Sequence, residues 1–278
     1  MNLAGRKISN PAAFAFLCVL LADPPTNALS ARQETTGDLR ETLKRIKPGI
    51  VGIGTYQPTR RVPAQLLGTG FVVADGLHVV SSAHVYHLTI EDASLEAGEN
   101  RADEFAVAFL RSGESTTYRH VKLVTEDMAH DVAILKFGGP ALPPLALGND
   151  ENVEEGQSIA FTGFPLGAVL GLYPATHRGI VSAIAPIVLP ANASGQLDSA
   201  AVEQLRNPFS VFQLDAVAYP GNSGSPLFDP ETGVVYGMVN STFVKRTKEK
   251  LLPEPTGISY AIPIRHALKL LQANGLIR

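Results

Sequence analysis

Cysteine is almost absent from this chain: Cys18 is the only one in 278 residues, and it lies in an apolar stretch near the N-terminus. A body without thiols cannot use a cysteine nucleophile or hold zinc through thiolates, and an oxidising compartment poses no threat to its fold. Ala15-Phe16-Leu17 before Cys18 lacks the small residues that lipid attachment needs, so Cys18 is read as filler. Long hydrophobic runs are missing too. No run of twenty apolar residues is present to cross a bilayer as a helix. Charge of one sign is scarce: the formal net charge is -3 and the charges are interspersed, which gives no reason for a nucleic-acid partner or an acidic membrane surface. Fixed-period repeats, heptads and low-complexity tracts are lacking.

What is present is enough apolar material, 45% hydrophobic against 18% charged residues, to bury a full-sized core without metals or disulfides. The first thirty residues differ from the rest. Arg6 and Lys7 precede an apolar stretch from Pro11 to Ala22, then Asp23-Pro24-Pro25 and the small residues Ala28 and Ser30. That order matches a secretory signal covering residues 1–30, with cleavage after Ser30 and a mature chain from Ala31. The competing reading, a buried N-terminal helix, is disfavoured because no amphipathic period accompanies the run. Stable membrane insertion after removal of the signal is not expected.

Asp38 to Lys47 is a short helix candidate, with Asp38 as N-cap and Pro48-Gly49 as the stop. Thereafter short apolar or alternating runs are separated by Gly, Pro, Asp and Asn, and they read as strands. One group comprises Ile50–Tyr56, Gly70–Val73, Leu77–Ser81, Phe105–Leu110, Val121–Thr125 and Val132–Phe137. A second comprises Gln157–Gly163, Gly179–Ala185, Val211–Asp215, Pro226–Phe228, Val234–Val239 and Ile258–Ile262. Gly138 to Pro144 suits neither helix nor central strand and reads as the crossover between two all-β halves. Residues 190–208 read as a surface insertion with a helical turn or two over Asp198–Arg206. Ile264, Ala267, Leu268 and Leu271 share one face of a C-terminal helix over 264–275, closed by Gly275.

One segment invites a chemical reading. Tyr219-Pro-Gly-Asn-Ser-Gly-Ser-Pro226 is glycine-rich, lies between two strands and holds Ser223 at its centre. Gly221 and Gly224 let the backbone turn sharply and let N–H groups face a bound carbonyl oxygen. A serine hydroxyl is a weak nucleophile without a base, and the base needs an orienting acid. His84 is the candidate base, at the end of the apolar strand of Val79-Val-Ser-Ser-Ala-His-Val85. Asp131 is the candidate acid, at the mouth of the apolar strand of Asp131-Val-Ala-Ile-Leu-Lys136. A carboxylate buried there needs a hydrogen-bond partner, and an imidazole N–H is one.

Taken together these segments resemble the trypsin-like serine peptidases, specifically those of the HtrA or Deg type. Gly68-Thr-Gly-Phe-Val-Val73, Ser82-Ala-His-Val85, Asp131-Val-Ala-Ile-Leu-Lys136, Gly179-Ile-Val-Ser182, Gly221-Asn-Ser-Gly224 and Ile258-Ser-Tyr-Ala-Ile-Pro263 carry the likeness in family order, over about Asp38 to Gly275. The resemblance implies an all-β fold of two six-stranded antiparallel β-barrels with short N-terminal and C-terminal helices. Residues 31–278 then form one protease domain, its barrels spanning about 48–137 and 145–263. It implies an exported, periplasmic or secreted serine endopeptidase acting on proteins or peptides, with a bacterial envelope as its setting. His84, Asp131 and Ser223 would be the triad, and the N–H groups of Gly221 and Ser223 the oxyanion hole. Val217 and Ala218 would lie at the base of the specificity pocket, with Asn240, Ser241 and Thr242 along its wall. No carboxylate sits among them, which disfavours Arg or Lys at the cleaved position and favours small or medium aliphatic residues. No metal or organic cofactor is implied.

The sequence departs from the family pattern in three places. Only fifteen residues follow Pro263, so no PDZ domain is expected. Ser225 stands where a second glycine usually follows the nucleophile. Ala31 to Thr55 has no aromatic residue of the kind that joins family trimers, so both a monomer and a homotrimer are expected states. An alternative function is a catalytically silent protease-like binding or chaperone module. An α/β-hydrolase esterase is disfavoured by the chain order His, Asp, Ser and by Ser225. Because a strand end does not put His84 and His87 on one face, they do not read as a metal pair. His78, His120, His177 and His266 lack local partner patterns and read as surface or packing residues; Asp215 reads as structural.

Overall fold

The computed structural model describes residues 38–95, 105–113, 115–165, 172–186, 209–240 and 258–278. The expected signal over 1–30, Ser241, Thr242 and the helical turns at 198–206 lie outside these residues.

Helix α1 (Leu39–Ile46) begins where the sequence provides a cap: the Asp38 carboxylate accepts from the Arg40 N–H at 3.0 Å. Pro48 closes it, in a 3-10 turn that leads into strand β1 (Ile50–Tyr56). Strands β2 (Ala64–Val73) and β3 (His78–Ser81) follow, then α2 (Ala83–Leu95), β4 (Phe105–Ser112), β5 (Ser115–Asp127) and β6 (Val132–Phe137). These six close into a barrel in the order β1-β2-β3-β6-β5-β4, with Gly52 opposite Phe109 at the seam. After the crossover come β7 (Ser158–Gly163), β8 (Ala175–Pro186), β9 (Ser210–Asp215), β10 (Pro226–Phe228), β11 (Val235–Asn240) and β12 (Ile258–Pro263). The second barrel closes through β7 and β10, with Leu227 opposite Phe161. Its order is that of the first with every strand number raised by six, so one topology occurs twice. The expected pair of antiparallel six-stranded barrels is what the chain forms.

Each barrel has its own apolar filling. Val51, Ile53, Val72, Val79 and Leu135 pack the first, and Ile159, Phe161, Phe212, Leu214 and Leu227 the second. A third cluster draws on both: Ile50, Phe71 and Ile134 meet Phe164, Phe228, Met238 and Ile262. Burying such side chains contributes roughly 1.5–3 kcal/mol each, so this shared cluster holds the barrels together and fixes the seam between them. The C-terminal helix α3 (Arg265–Ala273) adds Ala267 and Leu271 to it. Asp150, 3% exposed, accepts from the Arg265 N–H at 2.9 Å at the start of that helix, and Gly275 ends it at φ +66°.

One local expectation is corrected. His84 does not stand at a strand end: β3 stops at Ser81, and His84 is the second residue of α2. The segment AHVYHLTIEDASL has no continuous polar face, so no helical period is visible in it. The helix puts His84 and His87 on neighbouring positions of one face, but His87 Nε2 lies 2.8 Å from Glu126 Oε2 and His84 turns to Asp131. Strands β2, β5 and β8 also run further than their apolar cores; the added ends of β5 and β8 are half-buried or exposed, and that of β2 is half-buried from Ala64 to Leu67 and buried at Gly68 and Thr69.

Candidate active site

The site begins with the turn before β6. Asp131 adopts φ +55°, a left-handed conformation that Asp tolerates better than most residues. This turns its backbone carbonyl and its carboxylate together onto the first turn of α2. The Ala83 N–H donates to the Asp131 carbonyl at 3.2 Å and the His84 N–H to Oδ1 at 2.8 Å, so Asp131 caps the helix that carries His84. The same carboxylate then accepts from His84 Nδ1 at 2.6 Å, through Oδ2. With a carboxylate at Nδ1, the neutral ring carries its proton there and leaves Nε2 as an acceptor. The Asn240 amide donates to that Oδ2 at 2.6 Å. Three donors therefore surround a carboxylate whose side chain is only 15% exposed, while the imidazole keeps 25% exposure.

Ser223 comes from the other barrel, on the loop between β9 and β10. Pro220 and Gly221, at φ +97°, occupy the centre of a four-residue turn closed by the Asn222 N–H on the Tyr219 carbonyl at 2.9 Å. Proline second and a positive-φ glycine third is the pattern of a type II turn. The turn's own hydrogen bond uses the Asn222 N–H and does not involve that of Gly221. The loop then folds back: the Ser225 N–H reaches the Asn222 carbonyl at 3.0 Å, and the Gly224 N–H reaches the Val239 carbonyl at 2.9 Å.

Strand β2 brings the two halves together. The Thr69 N–H donates to the Ser223 carbonyl at 2.8 Å and Thr69 Oγ1 to the Gly221 carbonyl at 2.7 Å. A Cβ on the preceding Gly68 would lie 2.6 Å from the Val85 side chain, next to His84, and 3.0 Å from the Ser223 carbonyl. The helix of His84 and the loop of Ser223 thus press on one glycine from two sides. Asp215 is exposed at the end of β9, and Asp131 is the acid bonded to His84. Among the residues expected at the specificity pocket, Val217 and Ala218 are half-buried, and the Ala218 N–H donates to Ser259 Oγ at 2.7 Å. Asn240, assigned from the resemblance to the pocket wall, is 1% exposed and directs its amide to Asp131.

A family profile described as the trypsin-like peptidase domain matches residues 68–238. The chain belongs to the trypsin-like peptidases. This trypsin-like peptidase is 33% identical over 202 residues to a protein of Halomonas elongata named probable periplasmic serine endoprotease DegP-like, covering 73% of the chain and 34% of that protein. A protein of the same name from Pseudomonas savastanoi pv. phaseolicola is 30% identical over 243 residues, covering 86% and 42%. The chain thus spans about a third to two fifths of the length of these two curated relatives. Among solved structures, Deg5 superposes with a TM-score of 0.57 at 23% identity, covering 83% of this chain and 90% of that one. The structure titled HtrA-type protease AlgW with decapeptide gives 0.58 at 22%, covering 85% and 67%. At such identities the structural likeness concerns the fold. No helix among the described residues is long and apolar enough to cross a membrane.

Other titratable groups are accounted for by packing. His266, on α3, stacks on His130 with ring centroids 3.8 Å apart and planes at 24°, and His130 Nδ1 bonds Asp127 at 2.6 Å. These three side chains bring potential ligand atoms within 4.8 Å of one another. The nearly parallel rings keep their in-plane lone pairs from converging on one ion, so the trio is a packed cluster. Burial, with the nearby charges of His130 and Lys269, pushes the His266 pKa down to about 4. His177 is stacked on Phe161 at 4.8 Å, and burial lowers its pKa. His78 is buried and bonds Asp75 at 2.7 Å, and His120 meets the Phe105 ring edge-on.

Two contacts went unnoticed in the sequence: Thr69 to the loop of Ser223 and Asn240 as a donor to Asp131. The first has a faint signal, a polar residue between two glycines in a stretch otherwise apolar from Leu66 to Val73. The second has none. Two side-chain features of the loop also emerge. Asn222 is fully buried with neither amide atom hydrogen-bonded, and Ser225 Oγ is likewise unpartnered among the described residues.

Proposed function

We propose that this trypsin-like peptidase is an exported serine endopeptidase that hydrolyses peptide bonds of proteins through an acyl-enzyme. The observation that carries the reading is the pair of hydrogen bonds that the Asp131 carboxylate accepts from His84, one oxygen from the backbone N–H and one from Nδ1. It fixes the imidazole in the tautomer whose Nε2 can take a proton from a serine. In the proposed reaction the Ser223 hydroxyl attacks the substrate carbonyl as His84 Nε2 removes its proton. The oxyanion is held by the N–H groups of Gly221 and Ser223. His84 returns the proton to the leaving amine, and the C–N bond breaks. Water then repeats the sequence on the acyl-enzyme, releasing the acid and restoring Ser223. Base, orienting acid and nucleophile all come from the chain, so the reaction needs no metal or organic cofactor.

Proteins or peptides are the proposed substrates, in keeping with the relatives' printed names and with the tripeptide and decapeptide of the AlgW titles. Small or medium aliphatic residues at the cleaved position are proposed from the half-buried Val217 and Ala218. Export is supported by the N-terminal pattern of residues 1–30 and by the periplasmic naming of the relatives. Digestion of unfolded casein by the purified chain, alongside Ser223→Ala, tests the reading. Cleavage abolished in a folded Ser223→Ala variant supports it. An inert but folded parent would favour the silent binding-module alternative.

A further inference from the structure

Every polar atom of Thr69 is committed, although the residue is fully buried. Its N–H donates to the Ser223 carbonyl at 2.8 Å. Its Oγ1 donates to the Gly221 carbonyl at 2.7 Å and accepts from the Phe164 N–H at 3.1 Å. Its carbonyl accepts from Ser81 Oγ at 2.7 Å. The approach is so close that a Cβ on Gly224 would lie 1.9 Å from the Thr69 carbonyl oxygen. One residue of the first barrel therefore holds two of the carbonyls of the Gly221–Gly224 loop, which belongs to the second.

A carbonyl and the next N–H share a rigid plane. Thr69 anchors the 221–222 plane through Oγ1 and the 223–224 plane through its N–H. Between them lies the 222–223 plane, which carries the Ser223 N–H and whose own carbonyl is tied to the Ser225 N–H at 3.0 Å. The Gly221 N–H belongs to the plane before 221–222, joined to it only through the dihedrals of a glycine at φ +97°. Glycine permits either sense of rotation there, and the Thr69 hydroxyl fixes one side of that hinge.

We infer that Thr69 is a positioning residue: through its hydroxyl it sets the aim of the Gly221 and Ser223 N–H groups, and it touches no substrate itself. The inference rests on the serine-endopeptidase reading of Ser223. It also makes the oxyanion donors depend on how the two barrels are docked, since the strap crosses between them.

Thr69→Val keeps shape and strand preference but puts a methyl against the Gly221 carbonyl and the Phe164 N–H; Thr69→Ser keeps the hydroxyl. The full chain and both variants are compared by kcat and KM on a fluorogenic peptide and by the rate of labelling with a fluorophosphonate, whose phosphoryl oxygen needs the same donors. Misaligning such donors lowers kcat by about tenfold to a hundredfold. We expect that loss in Thr69→Val, with KM within about twofold and labelling slowed in proportion, and most of it recovered in Thr69→Ser. Parent kcat in Thr69→Val, or an equal loss in Thr69→Ser, overturns the inference, because packing of the methyl would then be what matters. Should Thr69→Val not fold, the pair Thr69→Ala and Thr69→Ser gives the same contrast. A parent that neither labels nor cleaves overturns the endopeptidase reading and this inference with it. A working parent with an indifferent Thr69→Val overturns the inference alone.

Discussion

Replacing Asp131 with asparagine isolates the role of its charge. Asn accepts the left-handed backbone at this position, φ +55°, as readily as Asp, so the turn survives. The amide has one oxygen where the carboxylate has two. The His84 N–H is a fixed backbone donor to Oδ1 at 2.8 Å, and the asparagine oxygen must face it or leave it unpaired. The new NH2 then occupies the place of Oδ2 and points at His84 Nδ1, 2.6 Å away in the parent. The imidazole can meet that donor only by moving its proton to Nε2, and in that tautomer it cannot accept a proton from Ser223. The capping bond to the His84 N–H is kept, so the fold should lose little. The same substitution in a Ser-His-Asp enzyme lowers kcat about 10⁴-fold, equivalent to about 5 kcal/mol of transition-state stabilisation. Kinetics on a fluorogenic peptide, with circular dichroism as the check on folding, would measure it. A folded Asp131→Asn variant within tenfold of the parent would refute the tautomer argument.

Two further outcomes follow from the packing. Gly163→Ala would place a methyl 2.0 Å from Ser225 Oγ and 2.9 Å from Asn222 Oδ1; we expect it to cost roughly 1–3 kcal/mol in denaturant unfolding, with Ser225→Gly in the same background recovering part. His266 ties stability to pH. Its folded pKa of about 4 lies below the ordinary 6.5, so the unfolded chain takes the proton first, and the stability present above pH 6.5 is lost as pH falls towards 4. Between pH 8 and pH 5 this group accounts for about 2 kcal/mol. Asp127, Lys269, Arg265 and His130 surround it, and His266→Phe keeps the stacking on His130 and Phe209 while removing the titration. Unfolding midpoints measured from pH 8 to pH 5 should flatten in that variant.

The fold was legible where residue pattern and burial coincide. Ile50–Tyr56 and Val132–Phe137 are strands in the structure at the bounds read from the sequence, because nearly every side chain in them is buried. The cap at Asp38 was legible as local chemistry. Helix α2 was not, since its residues show no amphipathic period and its start is capped by Asp131, 47 positions away. The candidate site divides along the same line. His84, Asp131 and Ser223 stand in local motifs, whereas the Thr69–Gly221 and Asn240–Asp131 bonds join residues 152 and 109 positions apart. Only the docking of one barrel on the other creates those pairs, and no spacing within a segment announces them.

Whether Ser223 is an activated nucleophile is read out by mass-spectrometric mapping of the adduct that the full chain forms with a fluorophosphonate. We expect a single adduct on Ser223, absent in Ser223→Ala and strongly reduced in Asp131→Asn. A folded parent that forms no adduct, or forms it on another residue, would rule out Ser223 as the nucleophile.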